Sequence, residues 1–195
     1  MEYCNNCANW AKGDDDLVKY HNQEWCKESH DERYLFEMLC LEGASVGLSW
    51  KIIIKKRNAY KKAFHNFDIE KCSKLTDAEL DDILQNFDIV KNKSKVYSVR
   101  TNAIAFKQIE KEFGSFDKYI WSFPKGKQIV NHASNLSQIP TKSELSIKIS
   151  KDLQKRKMKY VGDIITYSYL QSIGVVDDHL DSCPFKNKCT QTTKK

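Results

Sequence analysis

The stretch 31–64, DERYLFEMLCLEGASVGLSWKIIIKKRNAYKKAF, constrains this chain more than any other. Asp31 is suited to cap a helix N-terminus. Leu35, Met38, Leu39, Glu42 and Val46 follow at offsets of three and four, the spacing of one helical face. Four of them are apolar. The fifth is a carboxylate, which is costly in an apolar face unless something compensates it. The turn GLSW brings Trp50 near, and Ile52-Ile53-Ile54 is flanked by Lys51, Lys55, Lys56 and Arg57. An acid, an aromatic plate and a basic flank together suit a flat ligand, cationic or hydrogen-bonding, held close to a polyanion. The spacing equally permits Glu42 at the rim, paired with Arg57, and Trp50 as an ordinary core residue.

Seven glycines and three prolines in 195 residues, with long runs of Lys, Glu, Leu and Ile, favour helix over sheet and predict an all-α fold. The length fits a single domain, 1–195. A net charge of +6 permits an anionic partner without demanding one. No run approaches the ~20 apolar residues of a membrane span. The polar, acidic start MEYCNNCANWAKGDDD does not read as a secretory signal, so the expectation is a cytoplasmic monomer.

Asp14 to Asp16 predict a cap for a short helix carrying Leu17, Val18 and Tyr20. Thr76 and Glu79 have the spacing of a capping box. Residues 83–96, ILQNFDIVKNKSKV, read as two helical pieces around a turn, with Asn86 and Asp88 as the left-handed positions. Lys91, Lys93 and Lys95 surround the second helix start, a suitable place for phosphate. A plain helical hairpin with a solvated basic face fits that segment as well. Residues 124–143 read as a surface connection, and Lys155–Lys159 as a second basic patch.

Seven cysteines without an export signal point to thiols or metal ligands rather than disulfides. Cys40 and Cys72 read as inert. His179 and Cys183, four apart, can grip one ion from one side, and zinc takes four such ligands. The N-terminal segment offers Cys4, Cys7, His21 and Cys26 to complete a site tying the two ends together. Unrelated thiols and a core histidine satisfy the same spacing.

YHNQEW, LFEMLCLEGASVGLSW, KKRNAYKKAFHNFD, WSF, KRKMKYVG and DHLDSC, in this order, resemble the 3-methyladenine DNA glycosylase I family from Cys4 to about Cys183. The resemblance implies two helical lobes of the helix–hairpin–helix class, with the hairpin in about 76–100. It implies one structural Zn²⁺ held by Cys4, His21, His179 and Cys183, tying segments of about 1–30 and 170–190. Cys7 and Cys189 are left out of that set. It implies excision of 3-methyladenine from alkylated double-stranded DNA, with Glu42 catalytic and Tyr20, Trp25, Trp50 and Trp10 around the base. Lys91, Lys93 and Lys95 would meet DNA. No Schiff-base lysine is evident, so a monofunctional enzyme is expected.

The chain departs from the family pattern at several positions. Cys26 and Lys157 stand where glycine is usual, and Asp88 replaces the hairpin glycine. Leu17 and Ser45-Val46 differ at positions expected to touch the pocket. The Cys4–His21 interval is long by about one helical turn. A non-catalytic binder of alkylated or distorted DNA, and a zinc-stapled interaction module, are the alternatives.

Overall fold

A computed structural model describes Cys4, Cys7 and residues 9–186. Cys189 lies outside them. Among the described residues the chain is mostly helical. The α-helices are α1 (Asp15–Gln23), α2 (Glu32–Ser45), α3 (Trp50–Ala63), α4 (Ile69–Lys74), α5 (Asp77–Asn86), α6 (Lys93–Phe113), α7 (Phe116–Ser122), α8 (Glu144–Lys155) and α9 (Asp163–Ser172). The predicted caps form. Asp14 accepts from Leu17 N, Asp31 from Tyr34 N, and Thr76 and Glu79 complete a capping box.

The α2 helix packs against α3, α6, α7 and α9. Every residue from Leu35 to Ser45 is buried, so the expected single apolar face is wrong. A helix surrounded by partners needs no polar stripe. Phe36 meets Phe106 edge to face at 5.4 Å, and Phe106 stacks on Phe116 at 3.9 Å. These rings bind α2, α6 and α7 into one core.

The connection over 124–143 is more ordered than its composition suggests. β1 (Ile129–Val130) pairs in parallel with β2 (Val176–Asp177). A two-residue strand carries no periodicity to read. Asn86 and Asp88 are not left-handed. The non-glycine residues at positive φ include Cys26 (61°) and Lys157 (67°). The glycines at those positions in the family pattern thus match a backbone demand that this chain meets without them.

Residues 26–29 pass across the end of α9. Cys26 N donates to Gln171 O at 2.9 Å, and Ser29 N to Ile173 O at 3.1 Å. At Gly174 (φ 75°) a Cβ would lie 2.2 Å from the carbonyl carbon of Lys27. This crossing fixes Trp25 beside both α9 and the β2 segment.

Candidate active site and metal centre

A cavity of about 310 Å³ opens between α1, α2, α3 and α9, lined by Trp10, Tyr20, Trp25, Glu42, Ser45, Leu48, Trp50, Ser168 and Gln171. That volume is at the low end for ligand pockets, ~300–1,000 Å³, and suits a single flat ring system. Glu42 projects into it from the last turns of α2. It is 5% exposed, and burial pushes its carboxyl up to about 8. Arg57 does not neutralise it. The guanidinium donates to Glu37 at 2.6 Å and to Glu24 at 2.7 and 2.9 Å.

The indole of Trp50, at the first position of α3, has its Nε1 buried with no partner. Tyr20 is buried, and burial followed by the field of Glu42 raises its hydroxyl well above the usual range. A buried acid and a buried indole N–H with no partner among the described residues thus line one cavity, and such groups call for an explanation.

The structure thus brings together Glu42, Tyr20, Trp25, Trp50 and Trp10, as expected. Leu17 does not reach the cavity. It packs with Ala11 and Val18. Ser45 lines it, but its hydroxyl donates to Glu42 O at 2.7 Å. Leu48 and Gln171 were missed. Leu48 is 39% exposed on the GLSW turn, whose Gly47 is left-handed (φ 75°). Gln171 lies in a helix whose sequence pattern shows only its apolar positions.

The three lysines assigned to DNA have intramolecular partners. Lys91 Nζ donates to the carbonyls of Leu84, Gln85 and Phe87 at 2.6–2.9 Å, closing the end of α5. Lys93 pairs with Asp81 at 2.9 Å. Lys95 Nζ donates to Ala44 O at 2.9 Å and Val46 O at 2.5 Å, at the end of α2. Asp88 is ion-paired with Lys56.

Behind the cavity lies a buried cluster from both ends of the described chain. Cys4, Cys7 and Cys183 lie with their donor atoms within 4.8 Å of one another, as do His21, His179 and Cys183. Cys7 Sγ is 3.4 Å and Cys183 Sγ 4.0 Å from His21 Nε2. Tetrahedral zinc with ordinary bond lengths separates N and S ligands by about 3.6 Å. His179 Nε2 is buried with no partner, while its Nδ1 is 2.8 Å from Asp177. His21 Nδ1 is likewise 2.8 Å from Asn22 Oδ1. An outer hydrogen bond on one ring nitrogen, leaving the other aimed inward, is the habit of metal-ligating histidine. Desolvation lowers the pKa of His179, favouring the neutral ligating form. None of the six described cysteines is in a disulfide.

The cluster and the cavity share a wall. Trp25 stacks on His21 at 5.5 Å and meets His179 edge-on at 4.8 Å. Trp10 meets His21 at 5.8 Å.

Fold and cavity define a helical protein with a buried acid set among indole rings in one small cavity. A family profile described as methyladenine glycosylase matches residues 10–187. The DNA-3-methyladenine glycosylase of Haemophilus influenzae is 41% identical over 91% of this chain and 96% of its own length. DNA-3-methyladenine glycosylase 1 of Escherichia coli is 37% identical over 94% and 96%. The structure is similar to 3-methyladenine DNA glycosylase I of Staphylococcus aureus, with a TM-score of 0.92 and 33% identity over 96% of this chain and 99% of that one. A substituted form of such an enzyme, solved in complex with 3-methyladenine, also gives a TM-score of 0.92, at 32% identity over 95% and 99%. The chain belongs to the methyladenine glycosylase family.

Proposed function

We propose that this protein is a monofunctional DNA repair glycosylase that flips 3-methyladenine out of alkylated double-stranded DNA and hydrolyses its glycosidic bond. The observation that carries this reading is Glu42, a carboxyl buried in a cavity walled by four aromatic side chains, with burial alone raising its pKa among the described residues. A 3-methylated adenine in DNA carries positive charge, so its glycosidic bond is already weak. The cavity stacks the cation on indole faces. Glu42 accepts hydrogen bonds from the purine edge, and ionised it complements the charge. Water attacks the anomeric carbon as the C–N bond breaks. The base leaves with the bonding pair and becomes neutral, and the water's proton passes to solvent. Leu48, exposed at the cavity rim, fills the gap left by the flipped base.

The α5–α6 connection serves as the hairpin. Because Lys91, Lys93 and Lys95 have partners of their own, the backbone N–H groups at the start of α6 are the direct phosphate donors. The lysines then shape the turn and add positive field. The same reading has the protein acting as a monomer in the cytoplasm.

A structural zinc at the cluster is part of the same reading. His21, His179 and Cys183 would hold it with one thiolate of the N-terminal pair. The 3.4 Å contact to His21 supports Cys7 in that place, with Cys4, the thiol in the expected set, beside it. The ion would tie the chain ends and brace Trp10 and Trp25 from behind. Its chemistry is that of a closed site.

Incubation with methylated double-stranded DNA and chromatography of the released bases tests the function. Wild type is expected to release free 3-methyladenine, and Glu42→Gln to lose at least 100-fold in rate. Lesion binding without release by wild type would overturn the enzymatic assignment.

A further inference from the structure

Gln171 lines the same cavity as Glu42, and its side-chain amide is not free to turn over. Its Nε2 donates to Asp178 Oδ2 at 2.6 Å. Asp178 is 1% exposed and takes two further donors, the Tyr167 hydroxyl at 2.6 Å and Asn131 Nδ2 at 2.7 Å. With Asp178 accepting from all three groups, the amide offers it the NH₂ and keeps its oxygen away. Among the described residues that is the amide's only side-chain hydrogen bond. The backbone is pinned as well, because Gln171 O accepts from Cys26 N and Gly174 N. On a residue that lines the cavity, this leaves Gln171 Oε1 as a fixed acceptor turned away from Asp178.

We infer that Gln171 is a specificity-determining residue: its Oε1 takes one N–H of an exocyclic amine at purine position 6 and turns away a purine with oxygen there. This rests on the reading of the cavity as a 3-methyladenine site. The amine has two hydrogens, and Glu42 and Gln171 supply two acceptors. A 6-oxo group would set lone pair against lone pair, leaving both oxygens without a hydrogen between them. Asp178 acts only through the amide it orients and is a positioning residue.

Methylated DNA carries both 3-methyladenine and 3-methylguanine, so one incubation gives both release rates. Wild type is expected to favour the adenine lesion. Gln171→Leu should cut the adenine-to-guanine ratio of kcat/KM at least tenfold. Gln171→Met, nearer in shape, should do the same and guards against misfolding of the first variant. Asp178→Asn, which allows the amide to turn over, should shift the ratio in the same direction. Tyr167→Phe removes a donor from Asp178 but leaves the amide orientation alone, so its ratio should stay at the wild-type value. A ratio within twofold of wild type in both folded Gln171 variants would overturn the inference. So would an equal drop in Tyr167→Phe, which would mark general loosening. A wild type that releases neither base would instead count against the glycosylase reading itself.

Discussion

Tyr20 and Trp50 meet with ring centroids 5.4 Å apart at 55°, and together they close one side of the cavity over Glu42. One ring comes from α1 and the other from the start of α3, so the wall depends on how two separate helices dock. Base–aromatic stacking contributes ~1–3 kcal/mol per base. Trp50→Ala should weaken binding of free 3-methyladenine by roughly 10- to 100-fold, as read by calorimetry or fluorescence. Unchanged affinity would remove Trp50 from the site.

Glu42 couples function to stability with a definite sign. Its carboxyl is raised to about 8 by burial. Below the ordinary carboxylate pKa it is neutral folded or unfolded, and burial of the charge costs nothing. As pH rises through the interval up to about 8, the unfolded chain ionises and the folded one resists, so stability is lost across that window. Glu42→Gln should therefore be no more stable than wild type at pH 4. Above pH 8 it should gain, by at most about 5 kcal/mol, in denaturant titrations. A variant equally or less stable at high pH would contradict the buried acid. The kcat/KM of wild type should climb with pH and level off above about 8, because the free enzyme must ionise this group.

Cys26 and Lys157, both non-glycine residues at positive φ, differ in what they can lose. Lys157 (φ 67°) is exposed. Lys157→Gly should stabilise the fold by about 0.5–1 kcal/mol, seen as a rise of a few degrees at most in Tm. A fall in Tm would show that the lysine makes a contact worth more than the backbone strain. Cys26 (φ 61°) is buried and accepts from Asp178 N through its sulfur at 3.4 Å, so its replacement by glycine trades strain for lost packing.

At Gly174 the demand is absolute. A methyl group would sit 2.2–2.3 Å from the Lys27–Glu28 backbone. Gly174→Ala should cost roughly 3 kcal/mol or more and lower soluble yield, with thermal unfolding as the measurement. A wild-type Tm would mean that the crossing of residues 26–29 over α9 is looser than described.

On the zinc reading, treatment with a chelator, or Cys183→Ser, should lower both metal content and Tm. Because Trp10 and Trp25 lean on the histidines, affinity for 3-methyladenine should fall in whatever stays folded, while Glu42-dependent base release persists. Metal analysis beside a binding titration checks both. A protein purified without any zinc would end that assignment.

Helix starts were legible because a cap is a local signal, and Asp14, Asp31 and Thr76 each sit where their side chains say. Glu42 was legible for a different reason: a charge in an apolar run is expensive wherever the helix faces. The full burial of α2 was not legible, since it depends on α6, α7 and α9, far away in sequence, as well as on neighbouring α3. Cys7 entered the metal cluster by position in space, although the interval from Cys4 to His21 had already looked too long. Gln171 gave no sign at all. Its importance comes from Asp178 and Asn131, and neither pairing has a spacing to recognise.

Placing the acid on the helix that α3, α6, α7 and α9 pack around has a cost in evolvability. Changes that would reshape the slot for a bulkier lesion fall on the same scaffold that keeps the whole domain from melting. New substrates are therefore easier to reach from the outer walls, α1 and α9, than from the central rod. Heat or denaturant should abolish the slot and the fold in a single cooperative step, with no stage at which one outlives the other.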